Sequence, residues 1–195
     1  MWILARIAAA AVVVFLRSRA EGKPMDPVPG DVKMTQSGFL SLFMEAWQRV
    51  PDGERAGISV EKVYTVSHLE TGGGNGRPFQ RSMNLYSIHA GEPDPKQPGS
   101  GVYIMHPKNE FWDGRYYDTQ DPKNKANERL RVYKSLTDSI RDFLRLLRGS
   151  RYTRSRALLY SGSAQAFFQA LHEDGFNPFA SYPRELARVY NEVVV

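Results

Sequence analysis

Apolar residues repeat at helical spacing near both ends of this chain and lose that spacing in between, and this double change of period limits the fold class. From Ser37 to Val50 the residues Phe39, Phe43, Ala46 and Val50 recur on one side, flanked by Leu40 and Trp47, and Pro51 follows as a stop. Ile58 to Glu70 predicts a second helix, with Ser59 as N-cap and Val60, Val63 and Val66 along one face. Between Phe79 and Tyr133 the pattern breaks into short strand-like pieces, "MNLYSI", "GVYIM" and "RLRVY", separated by loops such as "GEPDPKQPGSG". Helical spacing returns at Ile140, Phe143, Leu144 and Leu147, stopped by Gly149. It recurs at Ala164, Phe167, Phe168 and Leu171, stopped by Gly175, and at Leu186, Val189, Tyr190 and Val193. No internal repeat is present. The order implies an α+β domain, a mostly helical lobe with a small antiparallel β lobe inserted, and a ligand cleft between the lobes.

At 195 residues the chain suits one compact core, and 42% hydrophobic with 24% charged residues argues that the body folds. A formal charge of +5 suits an anionic partner: nucleic acid, lipid headgroups or a bacterial cell wall. The arginines are scattered at helical spacing without a basic run, which argues against nucleic acid. Cysteine is absent, so thiolate catalysis, disulfides and cysteine metal sites are excluded. His68, His89, His106 and His172 fall on separate segments with no H-E-x-x-H, so no metal site and no cofactor is expected. A nucleophile-elbow motif is likewise missing.

The N-terminus carries an apolar run, Ile7 to Leu16, preceded by Arg6 and followed by Ser18-Arg19-Ala20. A run of about ten residues is too short to span a bilayer and fits a signal peptide cut after Ala20. An uncleaved membrane anchor over Trp2 to Leu16 is the competing reading. Residues 1–20 are therefore expected to be signal peptide or anchor, 21–36 a Pro/Gly-rich linker, and 37–195 the folded domain.

The stretch "HLETGGGNGRP" raises a question of chemistry. A phosphate loop needs its glycines after a strand and before a helix, and this cluster follows a helix instead. It reads as a helix terminator. Val63, Val66 and Glu70 lie at i, i+3 and i+7, so Glu70 continues the apolar stripe. Partial burial and the negative end of the helix dipole would both push its pKa upward, as suits a general acid. A surface glutamate at a fraying helix end fits the same periodicity.

Several stretches together resemble the glucosaminidase domain family of bacterial peptidoglycan hydrolases, which includes flagellar rod hydrolases and autolysins. The family's A-Q-x-x-x-E-S-G-W-G frame is matched by "TVSHLETGGG", with Glu70 at the acid position. N-L-F-G-I-K is matched by "NLYSIH" at Asn84 to His89, and W-x-G by Trp112-Asp113-Gly114. F-R-x-Y, the aspartate-containing helix, L-L and R-Y are matched over Arg131 to Tyr152, and A-L-x-x-x-G-Y-A-T-D-P-x-Y by "ALHEDGFNPFASYPRELARVY". The similarity runs in order from about Phe39 to the C-terminus.

The resemblance implies a lysozyme-like fold and cleavage of the β-1,4 bond after N-acetylglucosamine in peptidoglycan, with Glu70 protonating the leaving oxygen. It implies a second carboxylate in the β lobe, for which "GRYYDTQDP" offers Asp121, with Asp118 as second choice. Asn84, Tyr86, Trp112 and Tyr152 are expected to bind sugar. The family tryptophan after Glu-Ser-Gly is Gly73 here, and the tyrosine of G-Y-A-T-D is Phe176, which keeps a stacking surface and loses the hydroxyl. Tyr182, at the family's later tyrosine position, could supply one. Two other functions remain open: a lytic transglycosylase, and a catalytically weakened wall-binding or virion-associated structural protein. The expected location is periplasmic or extracellular, membrane-anchored or secreted, in a secretion, flagellar, autolytic or phage setting.

Overall fold

A computed structural model describes residues 33–89, 103–105 and 130–194. The expected signal peptide or anchor and most of the linker lie outside the described residues, as do Trp112, Asp118 and Asp121. The first helix, α1 (Gln36–Gln48), starts one residue before the expected domain boundary. There follow α2 (Asp52–Arg55), α3 (Val60–Thr71), α4 (Arg77–Ser82), the strands β1 (Tyr103–Met105) and β2 (Leu130–Val132), and α5 (Leu136–Leu147). A 3-10 turn (Ser150–Tyr152), α6 (Thr153–Tyr160), α7 (Ala164–Glu173) and α8 (Tyr182–Val193) complete the order.

Side-chain caps set the starts of the long helices. Thr35 Oγ1 accepts from the Gly38 amide at 3.1 Å, Ser135 Oγ from Asp138 at 3.1 Å and Ser163 Oγ from Ala166 at 3.1 Å, each satisfying an amide that the helix leaves orphaned. Ser59 caps α3 as its position predicts. Helix α7 packs against both α6 and α8, α8 against α3, and α1 against α5. The enclosed core is built on Phe39, Phe43, Val63, Val66, Ile140, Phe143, Phe167, Leu171 and Leu186, all fully buried. No helix among the described residues is long and apolar enough to cross a membrane.

Lys62 lies inside this helical body, and its Nζ donates to the carbonyls of Leu158 at 2.6 Å, Gly162 at 3.0 Å and Ser161 at 3.5 Å. It thereby satisfies the C-terminal carbonyls of α6, a helix end where the dipole also favours a cation. Burial is the first cause holding its pKa below the usual lysine value. Lys62→Met keeps the apolar stem and strands those carbonyls, so we expect it to cost about 1–3 kcal/mol, measured as a lower urea midpoint with unchanged slope.

Of the three expected strand pieces, "GVYIM" and "RLRVY" contain β1 and β2, which pair antiparallel with Tyr103 opposite Val132 and Met105 opposite Leu130. The third, "MNLYSI", is not a strand. Met83 and Ser87 have φ of 53° and 50°, which no extended segment allows. Residues 83–88 form instead a tight loop whose Met83, Leu85, Tyr86 and Ile88 side chains are all buried. The loop is held to β2, since Arg131 N donates to Ile88 O at 3.0 Å and His89 bridges Leu130. The rest of the small lobe expected between Phe79 and Tyr133 falls mostly outside the described residues.

Candidate active site

The glycine cluster terminates α3 by three consecutive left-handed residues, Gly72, Gly73 and Gly74, with φ of 57°, 65° and 84°. The Gly73 amide donates to His68 O at 2.8 Å, and the Gly76 amide to Thr71 O at 2.8 Å. Thr71 Oγ1 donates to Ser67 O at 2.7 Å and accepts from the Gly74 amide at 3.0 Å. Asn75 then clasps the incoming chain, accepting from the Met34 amide at 2.7 Å and donating to Met34 O at 3.1 Å. A β-carbon on Gly73 would lie 3.1 Å from His68 Nε2, so the imidazole occupies the space beside this position, where the family motif has tryptophan.

This turn leaves Glu70 half-buried at the last turn of α3, on the stripe below fully buried Val63 and Val66. Tyr182 Oη, from the first turn of α8, donates to Glu70 Oε1 at 2.7 Å. Burial is the main influence on the Glu70 carboxyl and raises its pKa above the usual carboxylate range. The hydrogen bond from Tyr182 and the neighbouring Ser87 hydroxyl pull the other way, because both favour the ionised form. Tyr182 itself is pushed well above an ordinary phenol, first by burial and then by the neighbouring carboxyl, so it remains a donor across the working pH range.

Phe176 replaces the motif's tyrosine and packs its half-buried ring between two aromatics. It lies edge-on to Phe143 at 5.6 Å and tilted against Tyr182 at 6.2 Å. Tyr86 stacks face to face on the other side of Phe143 at 4.0 Å. A continuous row, Tyr86, Phe143, Phe176 and Tyr182, thus leads through the core to Glu70 and fixes the ring that carries the donor hydroxyl.

The structure brings together Glu70, Tyr182 and Phe176 as a site and places the other described candidates beneath it. Tyr86 is 1% exposed, so its ring offers no face to a sugar. Asn84 Nδ2 donates to Ile88 O at 2.9 Å and Arg131 O at 3.0 Å, while Oδ1 accepts from the Tyr86 and Ile88 amides at 3.3 and 3.0 Å. Both donors and both lone pairs of that amide are used, which leaves no capacity for a sugar hydroxyl. Asn84 holds the 83–88 loop instead. Tyr152 is also buried, with the Arg151 guanidinium 5.8 Å from its ring centre, and packs the hairpin between α5 and α6. Ser87 was not anticipated; the only sign of it in the sequence is a serine where the N-L-F-G-I-K motif has glycine. Among the described residues no group of three His, Asp or Glu side chains could hold a metal ion.

The family profile described as mannosyl-glycoprotein endo-β-N-acetylglucosaminidase, the glucosaminidase family, matches residues 50–194. The chain belongs to the glucosaminidase family. It is therefore a glycoside hydrolase, and the helix carrying Glu70, the 83–88 loop and α8 all fall inside the matched region. Among solved structures, a mutant of the peptidoglycan hydrolase from Sphingomonas sp. A1 is similar at 25% identity, over 80% of this chain and 93% of that one, with a TM-score of 0.53. The glycoside hydrolase domain of Salmonella typhimurium FlgJ is similar in fold at 20% identity, over 82% and 89% of the two chains, with a TM-score of 0.53. No curated protein sequence matches.

In this glucosaminidase the Tyr182 contact has a measurable consequence. Tyr182→Phe keeps the ring in its row and removes a hydrogen bond that favours ionised Glu70, so the Glu70 pKa should rise further. Titration of a 13C-labelled Glu70 carboxyl should show that rise, by about one pH unit. An unmoved titration would show that the phenol does not tune the carboxyl.

Proposed function

We propose that this glucosaminidase is a peptidoglycan hydrolase that cleaves the β-1,4 bond after N-acetylglucosamine in glycan strands, with Glu70 as general acid. The observation that carries this reading is the carboxyl itself: half-buried at a helix end, raised in pKa, and held by a phenol from a distant helix. Such a group is protonated where an ordinary carboxylate is not, and it can give its proton to the glycosidic oxygen as the C–O bond breaks. The leaving sugar departs as an alcohol, and an oxocarbenium-like centre develops at the anomeric carbon of N-acetylglucosamine. Asp121, or Asp118 as second choice, would activate the attacking water or stabilise that centre, unless the substrate's own N-acetyl group assists. The similarity to a peptidoglycan hydrolase of Sphingomonas sp. A1 supports the substrate class, and a net charge of +5 suits an anionic wall.

This function places the enzyme outside the cytoplasm, periplasmic or extracellular, delivered by residues 1–20 as signal peptide or anchor. Digestion of purified sacculi followed by mass spectrometry tests the chemistry. Fragments with reducing-end N-acetylglucosamine are expected. Ends in 1,6-anhydromuramic acid would make the protein a lytic transglycosylase, and sacculus binding without release would make it a wall-binding protein.

A further inference from the structure

Phe179 is 70% exposed, the most open large hydrophobic side chain among the described residues. It lies on the crest of the loop that joins α7 to α8, where Pro178, Ala180 and Ser181 are exposed with it. The backbone under this crest is tied down along its length. Arg151 donates to Asp174 O at 2.7 Å and to Gly175 O at 2.8 Å, and the Phe176 amide donates to Leu171 O at 3.0 Å. Asn177 O lies 2.7 Å from His172 Nδ1, Asn177 Oδ1 accepts from the Phe179 amide at 3.0 Å, and Phe179 O accepts from the Tyr182 amide at 2.9 Å. The ring is thus presented on a fixed backbone, and holding it against a ligand costs little further ordering. It adds nothing to the core, and left in water it forgoes the gain that burial of a phenylalanine brings. In the G-Y-A-T-D frame this position is aspartate, so the ring is a feature of this chain and not of the motif.

Both ends of the same loop belong to the site. Phe176, before the crest, packs on Tyr182, and Tyr182, after it, donates to Glu70. A single tyrosine spans the interval from Phe179 to the acid, since its amide meets Phe179 O and its hydroxyl meets Glu70 Oε1. We infer that Phe179 is a substrate-binding residue whose ring stacks on the apolar face of a sugar flanking the scissile bond. The inference rests on glycan being the substrate. A pyranose carries C–H groups on its faces and hydroxyls on its rim, which suits an open aromatic ring. Size favours this occupant over others: a stable protein interface covers about 800 Å² on each partner, and a membrane surface takes a broad apolar face. The crest offers one phenyl ring among a proline, an alanine and a serine, an area matched to one sugar. Asn84, Tyr86 and Tyr152 are buried in the scaffold and Phe176 is half-buried, which leaves Phe179 as the most open described aromatic on the segments that build the site.

The test measures kcat and KM for the full-length wild type, Phe179→Ala and Phe179→Trp on soluble peptidoglycan glycan fragments of increasing length. A ring remote from the reacting atoms binds substrate and transition state alike, so its loss acts on KM and not on kcat. Phe179→Ala is expected to raise KM about tenfold on long fragments with kcat little changed, the rise shrinking as the fragment becomes too short to reach the ring. Its melting temperature should match wild type, because the side chain leaves the core intact. Phe179→Trp, which offers a larger face, should hold KM at or below the wild-type value. A KM for Phe179→Ala that equals wild type at every length, or that rises equally at every length, would overturn the inference. If vesicles of anionic phospholipid then bind the wild type better than Phe179→Ala, the ring meets a membrane instead. These failures are distinct from failure of the substrate reading: a wild type that cleaves the fragments keeps that reading whatever Phe179→Ala does, whereas a wild type that neither binds nor cleaves them removes both.

Discussion

Glu70→Gln is expected to lower turbidity clearing of purified sacculi by about 10²- to 10⁴-fold and, at neutral pH, to make the fold more stable. The two effects have one cause. Glu70 sits where burial raises its pKa above the unfolded value, so between those two pKa values the folded state binds more protons than the unfolded one. Its contribution to stability is fully present below the unfolded pKa and is lost as pH rises through the folded pKa. Above the unfolded pKa the wild type must either ionise a partly desolvated carboxyl or hold a proton that the unfolded chain has released, a cost that neutral glutamine of the same shape does not carry. Glutamine can still accept from Tyr182 Oη through its amide oxygen, so the 2.7 Å contact has a substitute. The wild type should lose stability relative to the variant as pH rises from the unfolded glutamate pKa of about 4 through the raised folded one, and thermal melts along that rise would show the difference growing. Undiminished clearing would end the general-acid assignment, and a variant less stable than wild type at neutral pH would contradict the burial of the charge.

Gly74→Ala is expected to destabilise the fold by about 2–5 kcal/mol, a large effect for one methyl group on a turn. The new β-carbon would lie 2.6 Å from Phe39 Cδ2 and 2.7 Å from Met34 Sδ, and φ of 84° is strained for any L side chain. The methionine end can move aside. Phe39 cannot, because it is fully buried and meets Tyr64, His68 and Phe79 at 5.9, 5.9 and 5.7 Å between ring centres. Gly53→Ala in α2 is the matched control, since nothing lies within 4 Å of its added carbon. Denaturant midpoints should separate the two variants clearly; an unmoved midpoint for Gly74→Ala would mean that the turn can relax away from the Phe39 ring.

The helices that begin on a Ser or Thr cap and bury one apolar stripe are legible in the sequence. Helix α6 is not: "TRSRALLY" has no stripe, and it is fixed by tertiary bonds, with the Ser155 amide and Oγ donating to Asp174 Oδ2 at 3.0 and 2.7 Å. "MNLYSI" misleads because its apolar residues are buried on every side of a loop rather than on one face of a strand. At the site, the stripe and the family frame both point to Glu70, and the frame alone points to Tyr182. The contact between them depends on α3 meeting α8, which local periodicity does not encode. Asn84, Tyr86 and Tyr152, expected to greet a sugar, turn out to be buried in the scaffold, since a motif records that a residue is needed without recording which way it faces.

Tyr182 is synthesised 112 residues after Glu70. A nascent chain therefore carries the Glu70 carboxyl long before it carries the phenol that donates to it. Because that contact closes only when α8 packs on α3, a chain lacking its last helix keeps Glu70 without the hydrogen bond that favours its ionised form.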